Sequence, residues 1–294
     1  MKPCAFQFYT PQTLEDALEA LWEFTEEGLS VKVLAGGQSL MPVLNMRLAT
    51  PDVLIDLNGL ENVLNFIIPD NDHVRVGALT RHYQLEASPL ISRHVPIITE
   101  AERLIGHVAI RSRGTIGGSL AHADPSAELP LVASLLNASV TLRSKIETRT
   151  IPAAEFFLAY LMTSLEPTEI LTEVTIPTLP GRSGQSIQEF ALRHGDFAIA
   201  VAGAQVTVDE NSCVANARLA LGGVGPTPLD MSAGLELLIG TQPQLEDIGR
   251  LVKAICQDLE PDGDIHADSA YRKDLAETLS TRALATALQK SRNK

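Results

Sequence analysis

Two glycine-rich segments constrain this chain more than any other feature of its sequence. The first runs from Leu34 to Leu40 (LAGGQSL) and the second from Gly114 to Pro125 (GTIGGSLAHADP). Glycine permits positive φ and a close approach of the backbone to a ligand, so successive N–H groups can converge on phosphate oxygens. Ser39, Thr115 and Ser119 can add hydroxyl donors. Both segments are therefore candidate phosphate-binding loops.

Neither segment matches the common nucleotide-binding fingerprints. Gly-x-Gly-x-x-Gly occurs nowhere in the 294 residues, and no Gly-Lys-Ser/Thr closes a P-loop. We therefore do not expect a Rossmann or kinase fold. A glycine cluster on its own is also typical of a tight turn. The pattern alone leaves both a turn and a phosphate cradle open.

Charge and cysteine usage exclude several classes of function. The formal net charge of −13 repels phosphate backbones, so a nucleic-acid-binding surface is not expected. Any phosphate must then be bound by local backbone groups. Cys4, Cys213 and Cys256 are too scattered for an iron–sulfur cluster, a zinc site or a disulfide framework, and the seven histidines include no His-x-x-x-His pair. We expect reduced, structural cysteines and no metal site.

The hydrophobic runs are short. The longest, such as Phe197–Val206 and Leu129–Leu136, fall well below the roughly 20 residues that a membrane span requires. The first residues show neither an apolar stretch of signal-peptide length nor a small-residue cleavage pattern. We expect no membrane span and a cytoplasmic location.

The first half of the chain mixes helix and strand patterns. Thr13 is the predicted N-cap of a helix with one apolar stripe, Asp16 is placed to complete a capping box, and Gly28 ends the helix. A mostly buried helix is predicted at Ala127–Leu136. Four strands are predicted, at Val31–Ala35, Asp52–Leu57, His73–Ala78 and Ser139–Arg143.

A change in composition marks a domain boundary near residue 178. A predicted strand near Glu169–Thr178 ends at prolines, and the small, polar Gly181–Ser186 that follows is typical of a linker. Helices are predicted from Ser232 onwards, after three strand-like runs at Ile187–Arg193, Phe197–Val208 and Val214–Leu221. We predict an α+β chain with one domain at 1–178, divided into about 1–58 and 59–178, and a second at 186–294.

Five segments, in this order along the chain, resemble the medium subunit of molybdenum hydroxylases. This group includes aerobic carbon monoxide dehydrogenase and the flavin domain of xanthine dehydrogenase. The resemblance extends from residue 3 to about 285. The segments are FQFYTP at 6–11, AGGQSL at 35–40, TIGGSLAHADP at 115–125, RHGDFA at 193–198 and LALGGVG at 219–225.

The resemblance implies a fold and a cofactor. Residues 1–178 would form an FAD-binding domain of the p-cresol-methylhydroxylase type, which is vanillyl-alcohol-oxidase-like. Residues 186–294 would form the family's small C-terminal flavoprotein domain, with a three-stranded sheet and helices. The flavin would lie between them. Some proteins of the wider fold attach flavin covalently through a histidine, but Gln38 occupies that place here, so we expect non-covalent FAD.

The resemblance also assigns site residues. Ala35–Leu40 and Thr115–Ser119 would hold the pyrophosphate and ribityl chain, Asp124 and Glu128 would be polar neighbours, and Phe197 would approach the isoalloxazine ring, where an aromatic face can stack. The full set of expected FAD-binding residues is Leu34, Ala35, Gly36, Gly37, Gln38, Ser39, Leu40, Ile110, Gly114, Thr115, Gly117, Gly118, Ser119, Ala123, Asp124, Glu128 and Phe197.

Several nearby residues have simpler interpretations. His122 can be a neighbour of the flavin or a solvated or core histidine. Asp124, which precedes Pro125, can shape a turn, and the glycines of Leu219–Gly225 are typical of a bend after a strand. Arg111 and Arg113 can meet phosphate or form surface ion pairs.

The resemblance implies an electron relay and not a complete enzyme. A large subunit would carry the molybdenum cofactor and a small subunit two two-iron clusters. This chain would pass their electrons from FAD to an external acceptor, in an assembly with two copies of each subunit. No catalytic nucleophile or base is then required. A flavin-less assembly scaffold and a stand-alone flavin oxidoreductase remain alternatives. The substrate and the final acceptor stay open.

Overall fold

The computed structural model describes residues 1–293 and confirms the predicted α+β class. The helices are α1 Leu14–Glu26, α2 Leu40–Asn45, α3 Glu61–Leu64, α4 His82–Ala87, α5 Pro89–His94, α6 Pro96–Glu102, α7 Val108–Arg111, α8 Ile116–His122, α9 Glu128–Leu135, α10 Ala153–Phe156, α11 Leu245–Ile255 and α12 Ser269–Arg292. The strands are β1 Gln7–Tyr9, β2 Val31–Leu34, β3 Val53–Asp56, β4 Ile67–Asp70, β5 His73–Gly77, β6 Ser139–Arg143, β7 Thr148–Pro152, β8 Phe157–Ala159, β9 Met162–Thr163, β10 Ile170–Pro177, β11 Ser183–Phe190, β12 Ala200–Val208, β13 Val214–Gly222 and β14 Leu229–Asp230.

A small parallel sheet of order β1-β3-β2 lies at the N-terminal end, and α1 packs its buried leucines and alanines on it. The Thr13 hydroxyl accepts from the Asp16 N–H at 3.1 Å, and Gly28 follows the helix with φ +78°, as predicted. The capping box is not completed. The Asp16 carboxylate instead accepts from the Gln12 N–H at 2.8 Å and the Tyr9 hydroxyl at 2.5 Å, which ties β1 to the start of α1.

The second sheet is antiparallel, in the order β4-β5-β10-β6-β7. It shares one core with helices α4, α5, α6, α8 and α9. Alternation places Val74, Val76, Val140 and Leu142 in that core at 0% exposure, as the period-2 pattern predicts. The predicted strands over His73–Ala78, Ser139–Arg143 and Glu169–Thr178 therefore agree with β5, β6 and β10.

The third sheet is antiparallel, in the order β11-β12-β13-β14, and the long helix α12 covers one face. The prediction of a three-stranded sheet misses β14, whose Leu229 and Asp230 pair with Leu221 and Ala220. Two residues are too few to show an alternating pattern. Asp268 caps α12 by accepting from the Tyr271 N–H at 2.8 Å.

The predicted linker is wrong for residues 183–186, which begin β11. Ser183 and Gln185 are 0% and 2% exposed. The Ser183 and Thr207 hydroxyls are 2.7 Å apart, and Gln185 Nε2 donates to Gln205 Oε1 at 2.7 Å. Small polar residues here pair across strands inside the protein.

Helix α9 joins the two parts of the chain, because it packs on α6 and α8 on one side and on β12 and β13 on the other. Ile187, Val201 and Ala220 of the third sheet belong to the same buried cluster as the second sheet. Within residues 1–293, no helix combines the length and apolarity needed to cross a membrane.

Candidate functional site

An open cleft of about 430 Å³ lies where the two glycine-rich segments meet the N-terminus of α9. The loop between β2 and α2 forms one wall and the residues around α8 another. The turn between β8 and β9, through Leu161, and Gly195–Phe197 ahead of β12 complete it. The cleft therefore draws residues from both parts of the chain.

The first glycine-rich segment leaves its backbone donors free. Within residues 1–293, no N–H group from Gly36 to Leu40 donates a hydrogen bond, and every one of these residues lines the cleft. Gly37 has φ +74°, which L side chains rarely adopt. The turn ends where the Met41 N–H donates to the Gly37 carbonyl at 3.1 Å. Unpaired N–H groups in a concave turn suit an anion.

The second glycine-rich segment differs from the first, because the N–H groups of Ile116 to Ser119 are already paired within the protein. The N–H groups of Ile116 and Gly117 donate to carbonyls of residues 80 and 78, at 3.1 and 2.9 Å. Those of Gly118 and Ser119 donate to the Thr115 hydroxyl and carbonyl, at 3.1 and 3.0 Å. The glycines here serve close packing: a Cβ on Gly117 would lie 2.5 Å from the Cβ of Ala78.

Gly36 brings the two segments into contact. A Cβ on Gly36 would lie 2.3 Å from the carbonyl oxygen of Arg113 and 2.7 Å from the Cα of Gly114. Both obstacles are backbone atoms, so neither can move aside without shifting its loop. A residue without a side chain is therefore required where the two loops cross.

A network of polar side chains behind the cleft hydrogen bonds to these loops. Asn58 Nδ2 donates to the Ala35 carbonyl at 2.8 Å, and a guanidinium nitrogen of Arg81 donates to Asn58 Oδ1 at 2.8 Å. Arg81 also donates to the Arg113 carbonyl and to Glu61 Oε1, the latter at 2.5 Å. The Arg81 side chain is 11% exposed. Together with Asn58 it links Ala35 of the first glycine-rich segment to Arg113, the residue before the second.

Three acids that are buried or partly buried lie at or near the start of α9, and one of them lines the cleft. Glu128, the first residue of α9, lines the cleft at 6% exposure, and burial raises its pKa well above the usual range. Burial raises the pKa of the neighbouring Glu189 to about 7. Glu102 is 0% exposed, burial raises its pKa, and its Oε2 lies 3.0 Å from Nδ1 of His82, which also lines the cleft.

Two of the simpler interpretations are supported. Asp124 Oδ1 accepts from the Ser126 N–H at 2.9 Å, so Asp124 shapes the turn before α9 while also lining the cleft. Arg111 pairs with Glu86 at 3.0 Å and donates to the Ile105 carbonyl at 3.0 Å. Arg111 is thus a structural residue that fixes the loop before α7.

The structure brings most of the expected FAD-binding residues into one cleft. Leu34, Gly117 and Ala123 do not line it: Leu34 ends β2, Gly117 packs on Ala78, and Ala123 is the left-handed cap of α8. That the others contact FAD stays a prediction. Those that line the cleft are Ala35, Gly36, Gly37, Gln38, Ser39, Leu40, Ile110, Gly114, Thr115, Gly118, Ser119, Asp124, Glu128 and Phe197.

Other lining residues had no assigned role in the sequence. His82 and Glu102 are paired across 20 positions of chain, and no local motif signals such a pair. Gly195 and Asp196 belong to the RHGDFA segment, so the resemblance pointed to their neighbourhood. His122, for which the sequence left a flavin neighbour and a solvated or core histidine open, also lines the cleft. The remaining ones are Lys32, Val33, Val43, Ala49, Ile105, Gly106, Ala121, Ala127 and Leu161.

Two family models match the chain. Residues 4–179 match the FAD binding domain in molybdopterin dehydrogenase, and residues 185–287 match the CO dehydrogenase flavoprotein C-terminal domain. The chain is 40% identical to the 6-hydroxypseudooxynicotine dehydrogenase complex subunit alpha of Paenarthrobacter nicotinovorans, over 99% of this chain and 97% of that one. It is 38% identical to the nicotine 6-hydroxylase medium subunit of the same organism, over 98% and 99%.

A solved structure shares the whole architecture. A chain of carbon monoxide dehydrogenase from Hydrogenophaga pseudoflava superposes with a TM-score of 0.93 at 31% identity, over 99% of each chain. The matches span both parts of the protein and include the segments that build the cleft. The chain therefore belongs to the family of FAD-binding medium subunits of molybdenum hydroxylases, with carbon monoxide dehydrogenase among its relatives.

Proposed function

We propose that this chain holds FAD non-covalently in the cleft and relays electrons from iron–sulfur clusters on a partner subunit to an external acceptor. The observation that carries the proposal is the row of free N–H groups from Gly36 to Leu40 in an acidic protein. Such donors bind a pyrophosphate without a basic patch. FAD supplies the redox chemistry when bound, so the protein must orient it and leave part of it accessible.

The wall opposite the phosphate loop suits the flavin ring. Phe197 lines the cleft and is 59% exposed, so an aromatic face is available to stack on a planar ring. Gln38 Nε2 donates to the Gly36 carbonyl at 3.1 Å, and a carboxamide is not a nucleophile. The Gln38 side chain therefore supports non-covalent attachment.

The hairpin β8–β9 beside the cleft supports a subunit contact. Leu158, Tyr160, Leu161 and Met162 are each 51–58% exposed, and Leu161 also lines the cleft. Clustered exposed apolar side chains commonly mark protein interfaces. We propose that this hairpin contacts the iron–sulfur subunit, because an electron donor must approach the flavin. A large molybdenum subunit and two copies of each chain complete the proposed assembly, and we place it in the cytoplasm.

The first test is an absorption spectrum of the purified complex before and after acid precipitation, with the released cofactor identified by mass. Recovery of intact FAD in the supernatant, near one per chain, is the expected result. A colourless chain that takes up no FAD would favour the assembly scaffold. Turnover by the isolated chain would favour the stand-alone oxidoreductase.

The second test concerns the direction of electron flow. Removing FAD from the complex should leave substrate-dependent reduction of the partner's clusters intact, as read by electron paramagnetic resonance. Reduction of the external acceptor should stop and return when FAD is added back. Unchanged acceptor reduction without FAD would contradict the relay.

A further inference from the structure

Two carboxyl groups lie against each other at the start of α9, and one of them lines the cleft. Glu128 projects from the start of α9 and lines the cleft, and Glu189 of β11 is close enough to it for the two carboxyls to hydrogen bond. Glu189 Oε2 is buried and has no donor among the groups of residues 1–293. Two acceptor oxygens can meet only if one of them carries a proton.

No cation offsets this pair. Neither carboxyl forms an ion pair with lysine, arginine or histidine in the described part of the chain. The charged groups that act on Glu128 are Glu189 and Glu102, both acids, while a hydrogen bond from its own N–H lowers its pKa. His82 lies between Glu102 and the cleft and bonds Glu102. Like-charged carboxyls in a low dielectric cannot both ionise near neutral pH.

A purely structural role explains this arrangement poorly. A pair of unbalanced acids destabilises the fold relative to apolar or amide side chains of similar size. Glu128 is 94% shielded from solvent, while Glu189 is only partly buried. Glu189 can therefore exchange a proton with water, and Glu128, which lines the cleft, can hold the exchanged proton there.

We propose that Glu128 and Glu189 share one proton at neutral pH and form a proton-exchanging pair for the cofactor cleft. The proposal rests on the proposed relay function. When electrons from the partner's clusters enter the cleft, the added negative charge draws a second proton from water onto a glutamate oxygen. When the electrons leave for the acceptor, that proton returns to water, and no other bond is made or broken.

The first readout needs no flavin. Burial keeps the folded pKa of both groups above the value of about 4.3 of a free glutamate. The contribution of Glu189 to stability is therefore complete below that pH and lost as the pH rises through about 7. The variant Glu189→Gln keeps a donor for Glu128 but cannot titrate. Thermal melts of the isolated full chain should then show the variant gaining stability relative to wild type between pH 5 and pH 8.

The second readout measures coupling to the cofactor. The FAD-loaded complex is reduced at pH 7 in weak buffer with a pH-indicator dye. Wild type should take up more protons per FAD reduced than Glu189→Gln or Glu128→Gln. Glu155→Gln, an exposed acid on α10, should match wild type.

The outcomes separate the two proposals. Equal proton uptake by wild type and both glutamine variants, with FAD fully bound in each, would overturn the proton-exchanging pair and leave the relay intact. Absence of FAD from the wild-type complex would overturn the relay itself. If Glu128→Gln fails to fold, Glu189→Gln decides, because Glu189 lies behind the cleft and outside its lining.

Discussion

Among single residues, Gly36 is the point where the two glycine-rich loops cross. We expect Gly36→Ala to weaken FAD binding about tenfold or more, roughly 1.4 kcal/mol, because its methyl group would lie 2.3 Å from the Arg113 carbonyl oxygen and force the loops apart. Titration by flavin fluorescence measures the affinity. Gly181→Ala is the matched control, since no atom lies within 4 Å of its added Cβ. Equal affinity in both variants would contradict this account.

Arg81 gives a second expectation for a single residue. Its guanidinium joins Asn58 to the Arg113 carbonyl, so it bridges both loops from behind the cleft without lining it. We expect Arg81→Ala to raise the Kd for FAD about tenfold, roughly 1.4 kcal/mol, while circular dichroism stays the same. Arg93→Ala removes an exposed arginine of α5 and should bind FAD like wild type. An unaffected Arg81→Ala would show that packing alone holds the loops.

Local motifs made part of the site predictable. The glycines and hydroxyls of both loops stand next to each other in the sequence, so both loops could be recognised as candidate cleft residues from the sequence alone. The roles of Asn58, Arg81 and Glu189 could not be predicted in this way, because each acts on a partner 20 or more positions away along the chain. Nor does composition show that the N–H groups of Gly117 and Gly118 are already paired.

Among the elements, the long helix α12 carries a buried arginine that hydrogen bonds to residues outside the helix. Arg272 on this helix is 7% exposed and donates to the Ile199 and Gly223 carbonyls at 2.6 and 2.9 Å and to Asp264 at 2.7 Å. Removing it leaves buried carbonyls without a donor, which costs about 3 kcal/mol. We expect Arg272→Ala to lower the free energy of unfolding by about that amount. Urea denaturation measures it.

The same helix supplies the control. Arg282 is exposed on α12, so Arg282→Ala changes helix composition equally and should leave the urea midpoint within a few tenths of a kcal/mol of wild type. A similar loss in both variants would mean that helix propensity, and not the buried guanidinium, is responsible.

Elements with a strong period were predictable, and elements set by tertiary pairing were not. The alternating strands β5, β6 and β10 were found within one or two residues. The strand β11 was missed over Ser183–Ser186 because its small polar residues are buried against β12 and α12. In particular, a Cβ on Gly184 would lie 2.0 Å from the Ala287 carbonyl, a constraint that only the packed structure reveals.

In the whole molecule, the two parts of the chain share one of the three buried clusters. Leu131 and Leu135 of α9 lie against Gly203 of the third sheet, and the Ile97 N–H donates to Gln185 Oε1 at 3.2 Å. Lys290 adds an ion pair to Glu100 at 2.5 Å. The N-terminal sheet joins in through Leu79 and Ile170, which belong to its buried cluster. The cleft therefore depends on a single connected body.

This connection predicts one cooperative unfolding transition for the FAD-free chain. The single tryptophan, Trp22, lies in α1 and reports on the N-terminal sheet, whereas far-ultraviolet circular dichroism reports on every element. If the three cores unfold together, the two signals should give coincident urea midpoints. A fluorescence midpoint well below that of circular dichroism would instead show that the N-terminal sheet melts alone. The free N–H groups from Gly36 to Leu40 follow β2 of that sheet, so independent melting would make FAD binding the event that orders the phosphate loop.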